Sequence, residues 1–307
     1  CGLLVHAASL FGKVPVVGYY AMRLLTYIHN GIEQVGIRSG DSVVPVQSLS
    51  PKFAGNLLKI LAEQQLGPIE DALKDYGGAG IPLAEIEYRP LLPRPGKILC
   101  IGRNYAAHAA EGGVEPPTFP EVFMRGATSL IPHGGDIIRP RCSDKLDYEG
   151  EIALVIGKQC RHATEENALD FIAGYSLFHD ATLRDYQKAS SQWTVGKNFD
   201  GTGAFGPELV AAGELPPGVE GLTLTTRLNG ELMQEGNTDL LIFPVRKLIQ
   251  ILSEAMTLEP GDVIVTGTPA GVGFARKPPI WLKPGDTIEI EVAGIGKLVN
   301  SVRDEGA

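Results

Sequence analysis

Glycine and proline interrupt this sequence at short intervals, with 38 Gly and 22 Pro among 307 residues. Beyond residue 97 the apolar segments between these interruptions are short, which favours strands joined by turns over long helices. The strands predicted there are 98–101, 148–156, 222–228, 263–266 and 287–292. One segment, 245–256, places apolar residues at helical spacing and predicts an amphipathic helix. We therefore expect a strand-rich α+β protein.

Residues 22–46 alternate apolar and polar side chains around an Asn-Gly pair and a Ser-Gly pair. This pattern is typical of short antiparallel strands joined by tight turns. Between residues 53 and 66 the apolar spacing predicts a helix, which Gly67 and Pro68 are expected to end. A proline-rich stretch, 89–96, indicates a linker. We predict a small β-rich N-terminal domain of residues 22–93 and a catalytic domain of residues 94–307.

Charge and cysteine usage narrow the possible partners. The formal net charge of −9 disfavours binding to nucleic acid or to anionic lipid. Residues 1–21 are apolar but are broken by glycine and proline short of the roughly 20 apolar residues that a membrane span requires; we expect them to be an extension of unknown role. The four cysteines lie far apart, without the close pairs of zinc or redox sites, which favours a reducing cytoplasm.

Three carboxylates are candidates for a metal site. Glu149 and Glu151 lie two residues apart in a predicted strand, so both side chains point to one face. If that face is buried, the two like charges need compensation, and a hard divalent cation is the simplest source. Surface glutamates on an exposed strand fit the same spacing. Asp180 follows the strand-like run 172–179 and would reach the same end of a sheet, although an aspartate there also suits the start of a helix.

His108 and Glu111 are candidates for acid–base chemistry. They lie three residues apart in a short helix-forming stretch, where the carboxylate can orient the imidazole and raise its basicity. This arrangement suits a general base near neutral pH, and the adjacent glycines, Gly112 and Gly113, would let the segment move as a lid. The same pair is also common on exposed helices without function.

Four further residues are candidates for binding an acidic substrate. Arg184 and Gln187 share one face if residues 184–187 are helical, and both can donate to a carboxylate. Lys197 lies among glycine and apolar residues, a setting that can aim an ammonium at a developing oxyanion. Thr268 belongs to a glycine-rich turn that can offer backbone N–H groups and a hydroxyl to an anion. A surface helix and a surface lysine are the plainer interpretations of the first three.

Taken in order, these segments resemble the fumarylacetoacetate hydrolase superfamily, which includes acylpyruvases, oxaloacetate decarboxylases and 2,4-dioxo acid hydrolases. The resemblance runs from about residue 97 to residue 302. It rests on IGRNYAAHAAE, DYEGEIALVIGK, GYSLFHDATLRDYQ, GKNFD, LNGELMQEGNT and LEPGDVIVTGTPAGVG. It implies a mixed β-roll catalytic domain behind a small N-terminal domain, and usually a homodimer.

The resemblance also implies a role for each candidate residue. Glu149, Glu151 and Asp180 would hold Mg²⁺ or Mn²⁺, with Ca²⁺ also compatible with their oxygen atoms. His108 and Glu111 would activate a water molecule. The residues expected to hold the carboxylate and carbonyl oxygens of the substrate are Arg184, Gln187, Lys197 and Thr268.

The implied substrate is a small 2-oxo acid. A 1,3-dicarbonyl acid would chelate the cation, which stabilises the enolate left when the carbon–carbon bond breaks. Hydrolysis of an acylpyruvate or a 2,4-dioxo acid, with water activated by His108, is the leading expectation. Decarboxylation of oxaloacetate or a longer oxo-diacid, and tautomerisation or dehydration of a 2-oxo acid, are alternatives for the same residues. A binding module that has lost catalysis is a further alternative, which the complete set of candidate residues disfavours.

Overall fold

Residues 22–88 form five strands and three short α-helices. A computed structural model describes residues 22–307, and the predicted extension 1–21 lies outside the described residues. The elements up to residue 88 are β1 Arg23–His29, β2 Ile32–Ser39, β3 Ser42–Pro45, α1 Val46–Leu49, α2 Leu57–Ala62, α3 Leu66–Lys74, β4 Ile81–Pro82 and β5 Glu87–Tyr88.

The first three strands form the antiparallel meander that the alternating pattern predicts. The turn between β1 and β2 places Asn30 and Gly31 at φ of 51° and 76°. These are left-handed conformations, which asparagine and glycine adopt at lower cost than other residues. The Asn-Gly pair therefore fixes the position of this hairpin, as predicted.

The prediction that Gly67 and Pro68 end a helix is wrong. Helix α2 already ends at Ala62, and α3 begins at Leu66 with Gly67 and Pro68 in its first turn. Proline is tolerated there because the first N–H groups of a helix have no partner within the helix. Proline disrupts the interior of a helix but is compatible with its first turn, where Pro68 lies.

The rest of the chain supplies most of the sheet structure. Its elements are β6 Ile98–Gly102, α4 Ala106–Glu111, β7 Glu121–Met124, β8 Leu130–Ile131, β9 Asp136–Arg139, β10 Leu146–Asp147, β11 Gly150–Ile156, β12 Ile172–Asp180, β13 Thr182–Leu183, α5 Arg184–Lys188, α6 Thr194–Lys197, β14 Gly203–Ala211, β15 Thr223–Leu228, β16 Glu231–Asn237, α7 Val245–Ala255, β17 Val263–Val265, β18 Thr287–Val292 and β19 Gly296–Asp304. The five strands predicted beyond residue 97 are present, and α7 is the predicted amphipathic helix. Within residues 22–307, no helix is long and apolar enough to span a bilayer.

The larger sheet has 12 strands, ten of them in the order β4-β3-β2-β1-β14-β12-β11-β17-β6-β7. Most neighbours are antiparallel, whereas β17 runs parallel to β6. Strand β1 pairs with β14, with Arg23 opposite Val210, so the N-terminal strands extend the same sheet that carries β11 and β12. The domain boundary at residue 93 stays a prediction.

A second sheet, in the order β16-β15-β18-β19-β9, packs near β11 and β12. The core between the sheets contains Ile152 of β11, Ile290 of β18 and Leu248 of α7. The sheets approach closely at Gly150, where an added Cβ would lie 2.1 Å from Thr226 Oγ1. The prediction of a strand-rich α+β fold with mixed sheets is therefore confirmed.

Candidate metal and catalytic centre

Two neighbouring strands bring three carboxylates together. Glu149 directly precedes β11, Glu151 is its second residue, and Asp180 is the last residue of β12. The strands are paired, and the Asp180 N–H donates to the Glu149 carbonyl at 2.9 Å. One oxygen from each side chain lies within 4.8 Å of the others, and all three residues are buried. The prediction of one shared face thus holds in the structure, and the surface alternative for these residues is wrong.

Basic side chains surround two of the three carboxylates. The Lys197 ammonium lies 2.5 Å from Glu149 Oε2 and 2.6 Å from Asp180 Oδ2. The Arg184 guanidinium lies 2.6 Å from Glu149 Oε1, and Arg125 pairs with Asp180. Burial alone would raise the pKa of Glu149, but Arg184 and Lys197 hold that pKa below its ordinary value. Glu149 is therefore an ionised carboxylate tied into a buried network.

Glu151 differs from its two neighbours because no basic side chain among the described residues forms an ion pair with it. It accepts one hydrogen bond, from the Gly267 N–H to Oε2 at 2.6 Å. Gly267 has φ of 101°, a conformation that glycine adopts far more readily than other residues. Burial, followed by the charges of Asp180 and Glu149, raises the pKa of Glu151 well above its ordinary value. The charge of Lys197 lowers this pKa only in part, so Glu151 is the least compensated carboxylate of the three.

These residues fit a hard divalent cation. Three buried carboxylates converge on one point, and carboxylate oxygens are the ligands that Mg²⁺, Mn²⁺ and Ca²⁺ prefer in proteins. A cation would also compensate the charge of Glu151, with which no basic side chain of residues 22–307 forms an ion pair. The residues that would hold it are Glu149, Glu151 and Asp180, as the sequence predicts.

The raised pKa of Glu151 predicts how the stability of the metal-free protein depends on pH. A group whose pKa is higher in the folded state stabilises the fold below its unfolded-state pKa, and that contribution is lost as pH rises towards the folded-state value. We expect the thermal midpoint in chelator to fall as the pH rises above the ordinary glutamate pKa of about 4.3. Added Mn²⁺ should reverse this trend, because it binds the ionised carboxylate.

Differential scanning fluorimetry of the parent chain and of Glu151→Gln, with chelator and with Mn²⁺, measures this dependence. Glutamine cannot ionise, so the variant is the control for all other titrating groups, including Asp147, whose pKa burial also raises. Identical pH profiles for the two proteins in chelator would exclude Glu151 as the source.

The histidine and glutamate of the predicted dyad are in contact. Both lie on α4, with His108 Nδ1 at 2.7 Å from Glu111 Oε1. The other carboxylate oxygen, Glu111 Oε2, accepts from the Gly271 N–H at 2.8 Å, which anchors the helix to the glycine-rich turn. With its Nδ1 proton donated to Glu111, the imidazole presents Nε2 as a proton acceptor. The dyad has the arrangement of an oriented general base.

The predicted substrate-binding residues lie beside the carboxylates but have partners within the protein. Arg184 donates from Nε to Asp147 at 2.8 Å and from Nη1 to Gln187 at 3.0 Å. The Thr268 hydroxyl donates to the Gly150 carbonyl at 2.9 Å. The Lys197 ammonium lies between two carboxylates, so its predicted role as an oxyanion donor stays a prediction.

One cleft of about 240 Å³ joins these groups. Its volume lies slightly below the range of drug-sized ligand pockets, as expected for a small acid. Eight of the nine predicted site residues line it. The ninth, Glu111, does not line the cleft but is hydrogen-bonded to His108. The lining residues from the prediction are His108, Glu149, Glu151, Asp180, Arg184, Gln187, Lys197 and Thr268.

Three residues that organise this cleft are not among the site residues predicted from the sequence. Asp147 is fully buried and accepts from Arg184 and from the Gly273 N–H at 2.7 Å. Arg125 holds Asp180, and Trp193 covers Gly102, where an added Cβ would lie 2.1 Å from the indole ring. Asp147 begins the segment DYEGE, and its position two residues before Glu149 was the one feature of the sequence that could have identified it as a site residue. Nothing in the sequence near Arg125 indicates its partner 55 residues away.

Comparison with known proteins gives consistent matches. The family model for the fumarylacetoacetate (FAA) hydrolase C-terminal region matches residues 97–303. A Dictyostelium discoideum protein, the fumarylacetoacetate hydrolase domain-containing protein 2 homolog, is 35% identical over 96% of this chain and 97% of its own length. The mitochondrial oxaloacetate tautomerase FAHD2B of Bos taurus is 35% identical over 92% of this chain and 91% of its own length.

A solved structure has the same fold over almost its whole length. It is maleylpyruvate hydrolase from Sphingobium sp. SYK-6 in complex with manganese(II) and pyruvate. The two chains superpose with a TM-score of 0.76 at 27% identity, covering 92% of this chain and 99% of that one.

Proposed function

Because the chain belongs to the fumarylacetoacetate hydrolase family, we propose that it is a divalent-metal-dependent hydrolase that cleaves a carbon–carbon bond in an acylpyruvate or a 2,4-dioxo acid. The observation that carries this proposal is one small cleft with two functional groups. It contains three converging buried carboxylates and the imidazole of His108, whose Nδ1 is hydrogen-bonded to Glu111. The maleylpyruvate hydrolase structure with manganese(II) and pyruvate supports both the ion and the product.

Glu149, Glu151 and Asp180 would hold Mg²⁺ or Mn²⁺. When bound, the cation would act as a Lewis acid that draws electron density from the 2-oxo and carboxylate oxygens of the substrate. Arg184 and Gln187 would orient the substrate carboxylate, and their position in the cleft beside Glu149 supports this role. Positioning of this kind lowers the barrier by removing the entropic cost of assembling the reactants.

The proton transfers are assigned to His108. Its Nε2 takes a proton from water, and the resulting hydroxide adds to the distal carbonyl of the substrate. The carbon–carbon bond then breaks, its electron pair passes to the methylene carbon of the pyruvate fragment, and the imidazolium returns its proton to that carbon. The products are a carboxylic acid and pyruvate or a related 2-oxo acid. Glu111 keeps the imidazole oriented and stabilises its charged form between the two transfers.

Tautomerisation of oxaloacetate is the second candidate, motivated by the named activity of the bovine relative. It needs one proton moved between carbon and oxygen, which the same imidazole can do without attack by water. Decarboxylation of a β-carboxylated oxo acid, or dehydration of a 2-oxo acid, would use the same cleft. These reactions differ from hydrolysis in their products, so product analysis separates them. A homodimer, expected from the family resemblance, stays a prediction.

NMR product analysis tests the proposal. The panel is acetylpyruvate, fumarylpyruvate, 2,4-dioxo sugar acids and oxaloacetate, each with Mn²⁺ or Mg²⁺ and again with chelator. We expect pyruvate, or another 2-oxo acid, together with a carboxylic acid from at least one dioxo compound, and we expect chelator to stop the reaction.

The alternative activities give distinct outcomes in the same panel. Release of carbon dioxide from oxaloacetate without any hydrolysis would assign decarboxylation. Faster keto–enol exchange at C3 of oxaloacetate, again without hydrolysis, would assign tautomerisation. Turnover that persists unchanged in chelator would contradict the metal dependence.

A further inference from the structure

Lys188 is a positive charge in the cleft that forms no ion pair with an acidic side chain of residues 22–307. It is the last residue of α5 and lines the cleft with Arg184. Its ammonium lies 4.2 Å from the centroid of the Phe274 ring, and among the described residues it forms no hydrogen bond or ion pair. The other cations that line the cleft are all paired. The pairs are Arg103 with Glu121, Arg184 with Asp147 and Glu149, and Lys197 with Glu149 and Asp180.

Phe274 fixes the position of this ammonium relative to Arg184. The Arg184 guanidinium lies 4.5 Å from the same ring centroid, so the two cations are separated by no more than the sum of these two distances. The Phe274 N–H donates to Asp147 at 3.1 Å, and the same carboxylate accepts from Arg184 Nε. Lys188 and Arg184 also lie four residues apart on one helix, which places them on the same face. The ring, the helix and Asp147 therefore hold the two cations in one arrangement.

The surroundings of Lys188 favour an anionic ligand. Partial burial and the charge of Arg184 lower the pKa of Lys188, and the more weakly acting charge of Asp147 does not offset them. This is expected for an ammonium that forms no ion pair among the described residues. A carboxylate placed beside it would supply that counter-ion. Arg184 contacts Glu149 of the metal site, whereas Lys188 forms no ion pair with any of the three carboxylates. A carboxylate at Lys188 would therefore belong to the end of the substrate opposite to the one that Arg184 orients.

We propose that Lys188 binds a second, distal carboxylate, so that the cleft selects 2-oxo diacids over 2-oxo acids with an uncharged tail. This inference rests on the proposed function, which assigns the first carboxylate and the oxo group to Arg184 and the metal site. Because Lys188 is exposed on one side, its contribution falls in the range of a partly screened ion pair, roughly a fivefold change in affinity.

The test measures binding, so that it does not depend on which reaction the protein catalyses. Isothermal titration calorimetry with Mn²⁺ present compares 2-oxoglutarate with 2-oxopentanoate, and 2-oxoadipate with 2-oxohexanoate. Each pair differs by exchange of a terminal carboxylate for a methyl group. The proteins are the parent chain, Lys188→Met, and Lys52→Met as a matched control. Lys52 is also an exposed lysine without an ion pair among the described residues, and it lies outside the cleft.

We expect the parent chain and Lys52→Met to bind at least one diacid roughly five times more tightly than its monoacid. In Lys188→Met this preference should disappear, with monoacid affinity unchanged. A diacid preference that survives in Lys188→Met, or its absence in the parent chain at both chain lengths, would overturn the role of Lys188. In those cases, monoacid binding that chelator abolishes would leave the proposed function standing. Failure of all four acids to bind would overturn both proposals.

Discussion

Replacing Glu151 by glutamine is expected to remove turnover while leaving the metal-free protein at least as stable as the parent chain. Glutamine keeps the size of the side chain and the acceptor for the Gly267 N–H, but it removes one of three charges that would hold the cation. Mutating a residue that only supports a metal ligand already lowers metal affinity or activity about 10- to 100-fold. For a ligand itself we therefore expect kcat/KM to fall by at least about 100-fold. Stability is preserved because no basic side chain among the described residues pairs with Glu151.

The matched variant Glu149→Gln should behave differently. Glu149 pairs with Lys197 and Arg184 inside the protein, so its neutralisation leaves two buried cations with less compensation. Breaking a buried ion pair from one side costs about 3 to 5 kcal/mol. We therefore expect both variants to be inactive, with the loss of thermal stability confined to Glu149→Gln.

Steady-state kinetics with the best substrate from the product panel, together with thermal unfolding in chelator, separates these cases. Full activity in Glu151→Gln would exclude that carboxylate from the metal site. Equal loss of thermal stability in the two variants would contradict the absence of an ion pair at Glu151 among the described residues.

Replacing His108 by asparagine is expected to lower kcat/KM by roughly 100- to 10,000-fold, the range for loss of a general base. Binding of Mn²⁺ should not change, because His108 is not among the three carboxylates that would hold the ion. The fold should also persist, since the helix is short and Asn occupies less volume in the cleft. Kinetics and Mn²⁺ titration of the same preparation measure the two effects separately.

His162→Asn is the matched control for this substitution. His162 is exposed and lies outside the cleft, with φ of 55°, a conformation that asparagine also adopts. We expect normal turnover from this variant. Activity of His108→Asn within the error of the control would remove the imidazole from the mechanism and leave proton transfer to another group.

Local patterns in the sequence predicted those features that depend on residues close together along the chain. The period of two in Glu149-Gly150-Glu151 placed both carboxylates on one side of a strand, and the spacing of His108 and Glu111 predicted their contact in α4. The end of the run 172–179 placed Asp180 at the correct edge, because β12 ends there. For the glutamate pair and for the His108–Glu111 pair, the geometry of a single element determines the arrangement.

The compensation of the carboxylates was not predictable in this way. Lys197 lies 48 residues from Glu149 and 17 from Asp180 in sequence, and its local context indicated only a desolvated ammonium. Arg125 reaches Asp180 from a loop beyond β7. Which cations neutralise which carboxylates depends on how α5, α6 and the loop after β7 pack against the ends of β11 and β12, and no single segment encodes that packing. For this reason the sequence did not predict that Glu149 is paired with basic side chains whereas Glu151 has no such pair among the described residues.

Titration of Mn²⁺ into the parent chain and into Glu151→Gln tests the central claim most directly. Calorimetry gives the stoichiometry and the dissociation constant without any substrate. If the three carboxylates form the binding site, the parent protein binds one ion per chain. The variant should bind Mn²⁺ at least about 10-fold more weakly, because losing a metal ligand costs no less affinity than losing a residue that supports one. Equal affinity in the two proteins would place any bound ion elsewhere and contradict the assignment.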